Sequence, residues 1–298
     1  MPDRRIAPLV GIIAHDAGGA EILASYILQE GLNCLFVLAG PAEEIFRIKL
    51  GAVEVVDLET AIQGADWLLT GTGWQTDWEW RAICEAQSAG KHIVAFLDHW
   101  TNYKGRFVRG GVKCLPNEIW VGDQHAYALA RHTFPEISIR LVENPYFKEF
   151  SRLFEDVGVS QGLTLKNKCN VLYVCENHNE GQFSQHPIRF LMSSHKTLGI
   201  DIARLVIRPH PSETANKYSW ACKEFDCDVS VSNGRTLFDD IVESDVVAGC
   251  SSMAMVLGLI ARRRVISCIP NNEIRLTLPF KEIEVLSDIL RRGGNGGE

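Results

Sequence analysis

The chain lacks several features, and each absence excludes a class of function. Nine of its 298 residues are cysteine, yet no two stand at C-x-x-C spacing and the count is odd. A zinc knuckle or dithiol motif therefore has no basis here, and a disulfide framework would leave one thiol over. Cys34, Cys175 and Cys268 lie inside apolar runs, where a reduced thiol behaves as a small core side chain. Reduced thiols imply a cytoplasmic location. No run approaches the ~20 apolar residues of a membrane span. The first apolar run, residues 6–14, stops at His15-Asp16, as a buried strand would and a signal peptide would not. Basic excess is missing too. A net charge of −7 argues against a nucleic-acid partner, because a phosphate-binding surface needs positive charge. The turn after the first strand is not Gly-x-Gly-x-x-Gly, so a nicotinamide dinucleotide is disfavoured, and no cofactor is expected.

What is present is a rhythm. Short apolar strands, small or polar turns and helical stretches alternate along the chain, which implies a doubly wound parallel sheet. Strands are expected at residues 7–14, 34–38, 53–56, 67–70, 92–97, 118–121 and 139–142. The pattern restarts with strands at 170–175, 203–208, 229–231, 246–248 and 265–269. Helices are expected at 20–30, from Pro41, at 184–198, from about Ser212, at 237–243 and at 252–262. The length suits two α/β units of ~150 residues each. The reading is of two Rossmann-like domains facing a central cleft: residues 1–150, then 165–290, with 291–298 a Gly-rich flexible tail.

Ligands of open parallel sheets bind at the carboxyl ends of the strands, so unusual residues there carry the functional argument. Six strand ends have them. His15-Asp16-Ala17-Gly18-Gly19 follows the first strand, offering a base, a carboxylate and two glycines for tight turning and close ligand approach. Capping of the next helix by Asp16 is the structural alternative. Two later strand ends carry Trp74, and then Asp98, His99, Trp100 and Asn102. Aromatic faces beside hydroxyl, amide and acidic groups suit a sugar. Glu176 and His178 follow the first strand of the second half, where an ordinary solvated loop is an equal reading. Arg208-Pro209-His210-Pro211 holds a histidine between two prolines beside an arginine, suited to an anionic phosphate. Gly249-Cys250-Ser251-Ser252 opens an apolar helix with two hydroxyls, an anion cradle of which an N-cap explains one.

The last two elements, His210-Pro211 and Ser251-Ser252, resemble second-domain motifs of certain glycosyltransferases with the GT-B fold. These are the bacterial sialyltransferase, polysialyltransferase, capsule-polymer and CDP-glycerol transferase families. The resemblance implies that His210, Ser251 and Ser252 hold the donor's phosphate, the serines alternatively a donor carboxylate. Val142-Glu143-Asn144-Pro145-Tyr146 resembles the Asn-Pro linker of related nucleotide-sugar epimerases and hydrolases. Two departures are visible. The acidic first-domain motif of the sialyltransferases has only His15-Asp16-Ala17-Gly18 as its counterpart, and the Gly-x-Gly-His-x-x-Arg loop of the hydrolases is absent.

The sequence therefore leads to an expectation of a metal-independent glycosyltransferase in surface polysaccharide or glycoconjugate biosynthesis. Asp16, or His15 oriented by Asp16, would deprotonate an acceptor hydroxyl. Arg208, His210, Ser251, Ser252 and Glu176 would bind a CMP- or UDP-linked sugar. Gly18, Gly19, Trp74, Asp98, His99, Trp100 and Asn102 would line the site of a glycan or small-molecule acceptor. The rivals are a nucleotide-sugar hydrolase or 2-epimerase, and a non-catalytic binding protein. An oligomer is compatible with the sequence.

Overall fold

The structure is a computed structural model and describes residues 7–74, 76–157, 168–176, 183–270 and 274–294. The chain divides into two units, Met1–Glu149 and Phe150–Glu298.

The first unit begins with β1 (Leu9–Ala14), α1 (Ala17–Glu30), β2 (Asn33–Leu38), α2 (Pro41–Leu50) and α3 (Leu58–Gly64). It continues with β3 (Trp67–Thr70), α4 (Trp78–Ser88), β4 (Ile93–Leu97) and the short α5 (Tyr103–Arg106). A small hairpin of β5 (Val108–Arg109) and β6 (Val112–Lys113) precedes β7 (Glu118–Val121), α6 (Gln124–Thr133) and β8 (Ser138–Leu141). The six long strands pair in parallel in the order β2-β1-β3-β4-β7-β8. Helices cover a parallel sheet on both faces, so β1 and β4 are continuous apolar runs instead of alternating ones. Val10, Ile12, Leu69, Phe96 and Phe46 are among the residues that close the core. Local signals set the helix ends. Asp57 and Asp123 cap α3 and α6 by accepting the amides of Thr60 and Ala126, and Pro41 opens α2.

Helix α7 (Pro145–Asp156) spans the division between the units. Asn144 caps it, its Oδ1 accepting the amides of Tyr146 and Phe147 at 3.0 and 3.1 Å. The Asn-Pro pair thus has a local reason, a cap followed by proline at the first helical position.

The second unit runs β9 (Cys169–Val174), α8 (Pro187–Ser194), β10 (Ile202–Arg208), a 3-10 turn (Ala215–Tyr218), α9 (Ala221–Glu224) and β11 (Asp228–Val231). It ends with α10 (Leu237–Glu243), β12 (Val246–Gly249), α11 (Met253–Ile260), β13 (Arg264–Ser267), β14 (Glu284–Val285) and α12 (Leu286–Gly294). The parallel order is β11-β10-β9-β12-β13-β14. Its core gathers Val171, Tyr173, Leu205, Ile207, Tyr218 and Ile266. In each sheet the connections run outward in opposite senses from one pair of neighbours, β1/β3 and β9/β12. The turns after such a pair splay apart and leave a crevice at the carboxyl ends.

Four expectations are corrected. Residues 53–56 make one bridge, Val55 to Phe36, because Asp57 starts α3 before a ladder can extend. The α8 helix starts only at Pro187, capped by His186. No α-helix starts at Ser212. There the Glu213 carboxylate turns back to the His210 amide and the Tyr218 hydroxyl, and this local bonding competes with helix. Finally, α12 runs to Gly294, four residues into the stretch expected to be a tail, because Leu286, Ile289 and Leu290 pack on the core.

Candidate functional site

In the first unit the turn after β1 is held from a distance. Glu79, in the first turn of α4, is 1% exposed. Its Oε1 accepts the His15 amide at 2.9 Å and the Asp16 amide at 3.3 Å. Gly71 and Gly73 make room for this carboxylate. A Cβ on Gly73 would stand 3.0 Å from Glu79 Oε2 and 3.1 Å from Asp16 Cβ. The other Glu79 oxygen, Oε2, is buried without a hydrogen bond. Asp16 occupies the N-cap position of α1, but its side chain makes no capping bond. The capping alternative for Asp16 therefore leaves its carboxylate unexplained. Burial, reinforced by the charges of Asp98 and Glu79 and opposed by Arg106, pushes the Asp16 carboxyl up to about 6.

Behind it lies a buried ion pair. Arg106 Nη1 donates to Asp98 Oδ1 at 2.5 Å and to the carbonyl and hydroxyl oxygens of Thr72 at 2.9 and 3.0 Å. Its Nε donates to the Thr101 carbonyl at 3.1 Å. Burial works against ionisation of Asp98, yet Arg106, with His99 adding positive charge, holds its carboxyl below the ordinary value. Asp98 is thus a fixed anion near Asp16. Arg109, from the hairpin, ties down the loop beyond Gly73. It donates to the carbonyls of Gly73, Thr76, Gly105 and Val108 and to the Asp77 carboxylate.

Other candidates separate. No hydrogen bond joins the His15 ring to the Asp16 carboxylate among the described residues. The ring lies over Gly40, so the His15–Asp16 pair does not form as expected. Gly18 and Gly19 are helical, without positive φ, and buried Gly19 packs on Gly71. The absent side chain of Gly19 serves helix–loop packing, and neither glycine makes a positive-φ turn. Trp100 is buried and donates from Nε1 to Asp123 at 2.9 Å, bracing the cap of α6. Trp74, by contrast, is 48% exposed, Asn102 is exposed in the left-handed region, and His99 hydrogen-bonds Thr101.

In the second unit the two switch-point strands meet through Glu176 and Ser251. The Ser251 amide donates to Glu176 Oε1. Ser252 caps α11, its hydroxyl accepting the Ala254 amide at 3.2 Å. His210 follows β10, and the Ser212 amide donates to its Nδ1 at 3.2 Å. The neutral ring therefore carries its proton on Nε2. Arg208 is committed elsewhere. Its Nη1 donates to buried Asp240 at 2.6 Å, and Arg235 and Ser232 complete that cluster. The expected contribution of Arg208 to a phosphate site is thereby weakened, since its charge already answers Asp240. His178 lies outside the described residues. The Asp-x-Asp triplet at Asp226, Cys227 and Asp228 enters β11 at its amino end, opposite to the ligand-facing strand ends, and Asp228 pairs with Arg204. Among the described residues no group of three or more His, Cys, Asp or Glu is placed to hold a metal ion.

Neither a protein-family model nor a curated protein matches the chain. Solved structures do. UDP-GlcNAc 2-epimerase from Neisseria meningitidis, bound to UDP-GlcNAc, superposes with a TM-score of 0.66 at 10% identity, over 96% of this chain and 91% of its own. The Methanocaldococcus jannaschii UDP-GlcNAc 2-epimerase, in complex with UDP-GlcNAc and UDP, gives 0.64 at 10% identity, over 96% and 92%. The wall teichoic acid polymerase TagF gives 0.50 at 12% identity, over 97% and 79%. The fold is of the GT-B type.

Within this GT-B chain, sequence reasoning missed Glu79, Thr72, Arg106 and Arg109. Glu79 carries no local signal, since an acid in a first helical turn is ordinary and its partners lie 63 and 64 residues earlier. Arg106 had one, an arginine eight residues after an aspartate at a strand end. No helix among the described residues is long and apolar enough to cross a membrane.

Proposed function

We propose that this chain is an enzyme acting on a nucleotide-activated sugar, transferring the glycosyl group to an acceptor hydroxyl without a bound metal. The observation that carries the reading is Asp16, a half-buried carboxyl at the end of β1 whose proton affinity is raised to about 6. A carboxylate of that affinity is ionised at neutral pH and still basic enough to take a hydroxyl proton as the glycosyl bond forms. The donor's phosphate would lie at the start of α11, near Ser251 and Ser252, with His210 donating from Nε2 to a phosphate oxygen. The helix amides and this donor would stabilise the leaving phosphate. Trp74 and Asn102, both exposed, would contact the acceptor.

A second reading, 2-epimerisation or hydrolysis of the nucleotide sugar, is supported by the higher structural similarity to the two UDP-GlcNAc 2-epimerases than to the polymerase. Asp16 would then exchange a ring proton or activate water. Incubation with UDP-, CMP- and CDP-activated sugars, with and without acceptors, separates the two. Nucleotide release only with acceptor supports transfer. Release or a new epimer without acceptor assigns the second reading. Binding without turnover, unchanged in Asp16→Asn, would make the protein a non-catalytic binder.

A further inference from the structure

Glu79 is in an unusual position for an acid at a helix start. Such residues are normally exposed, where they favour the helix dipole at little cost. Glu79 is almost wholly buried, and burying a carboxylate is expensive unless something in the fold requires it. Its Oε1 is fully occupied by the amides of His15 and Asp16. The opposite oxygen has no hydrogen bond, and a Cβ added to Gly73 would meet both it and Asp16 Cβ, at 3.0 and 3.1 Å. One carboxylate therefore fixes the Asp16 backbone and sets a negative charge beside the Asp16 side chain.

We propose that Glu79 is the positioning residue for Asp16: it holds the turn that presents Asp16 and sets a buried carboxylate beside it. The inference rests on the reading of Asp16 as the base. The charged groups facing Asp16 are Glu79 from α4, Asp98 from the end of β4 and Arg106 from α5. Asp98 is the larger of the two negative charges at Asp16 but is already ion-paired with Arg106, whereas Glu79 has no cation bonded to it among the described residues. The unpartnered oxygen also explains why glutamine would not serve. Glutamine keeps the acceptor for the two amides, but would turn an N–H₂ toward Asp16 and stabilise its ionised form.

The test is a carbon-13 NMR titration of the Asp16 carboxyl, assigned with Asp16→Asn, in the wild type, Glu79→Gln and Gly73→Ala. In Glu79→Gln the midpoint is expected to fall from about 6 toward the ordinary carboxylate value of 3.8, with the fold intact. The acidic limb of the pH–rate profile should move down with it. Gly73 has no positive φ, so alanine is tolerated by the backbone, and its Cβ presses on both carboxylates and shifts the Asp16 midpoint while every charge remains. Glu85→Gln, on an exposed face of the same helix, should change nothing. An Asp16 midpoint unmoved in Glu79→Gln overturns the inference, and so does an unmoved midpoint in Gly73→Ala if Glu79→Gln does not fold. The titration needs no substrate. Failure to turn over any nucleotide sugar would count against the proposed function and leave this result standing.

Discussion

The backbone amide of Ser251, after β12, donates to the carboxylate of Glu176, after β9. The first unit repeats the relationship: Glu79, on the helix after β3, accepts the amides of His15 and Asp16 after β1. In both sheets a glutamate that follows one switch-point strand, directly or on the next helix, staples the turn after the other. The consequences differ. In the first unit the stapled turn carries a carboxyl of raised proton affinity. In the second the glutamate occupies an amide that a bound anion would otherwise use.

Glu176 should therefore oppose phosphate. A carboxylate at the start of α11 repels a diphosphate by Coulomb energy that low local dielectric enlarges. Glu176→Gln keeps an acceptor for the Ser251 amide and removes the charge. Nucleoside diphosphate binding, measured by calorimetry, is expected to tighten about tenfold, equivalent to about 1.4 kcal/mol. Weaker binding would instead assign Glu176 a direct contact with the ligand.

Asp16 should limit stability above neutrality. Its carboxyl affinity is raised in the folded protein, to about 6 from 3.8, so the folded state binds the proton more tightly. Stability then falls as pH rises from 3.8 through 6, and the whole penalty is present above 6. Asp16→Asn is expected to be more stable than wild type at pH ~8 by about 1–3 kcal/mol and no different at pH ~3. Urea denaturation at the two pH values measures this. Activity should be lost in the same variant.

The Asp98–Arg106 pair is a structural element with both partners buried. Arg106→Ala leaves Asp98 and Thr72 without their donor, and is expected to cost about 3–5 kcal/mol. A thermal melt shows whether the first unit still unfolds at its wild-type temperature; an unchanged midpoint would refute a buried pair.

Arg208 and His210 stand two residues apart but should answer different assays. Arg208→Ala removes a partner of buried Asp240 and should lower stability by about 1–3 kcal/mol. Nucleotide affinity should change little. His210→Ala should leave stability near wild type and weaken nucleotide binding at least tenfold. Thermal-shift measurements with and without CMP, UDP and CDP read both effects. The opposite pattern would restore Arg208 to the ligand.

The fold was legible because strand runs, turns and caps are local. Residues 9–14 are apolar without interruption since both faces of the sheet are covered, and Pro41, Asp57 and Asp123 mark helix starts by their own chemistry. The short segment 53–56 misled because β-branched composition does not say whether a neighbour is free to pair. The site was legible only in part. Asp16 and His210 stand at strand ends, which the rhythm locates. Glu79 became visible only in three dimensions, because a buried carboxylate is defined by what closes over it. The protein partners of Trp100 and Arg208, Asp123 and Asp240, were invisible in the sequence for the same reason.

Arg109 separates two kinds of information. Three hydrogen bonds from one hairpin side chain, two of them to the main-chain carbonyls of Gly73 and Thr76 and one to the Asp77 carboxylate, anchor the path of the loop beyond Gly73, and two more fix Arg109 to its own segment. Carbonyls are common to every residue, so that path depends little on which side chains the loop displays. If Trp74 contacts an acceptor as proposed, substitutions at Trp74 or Thr76 would change that contact without rebuilding the loop's course. The loop is a replaceable face on a fixed mount, and directed evolution of specificity should begin there with Arg109 left untouched.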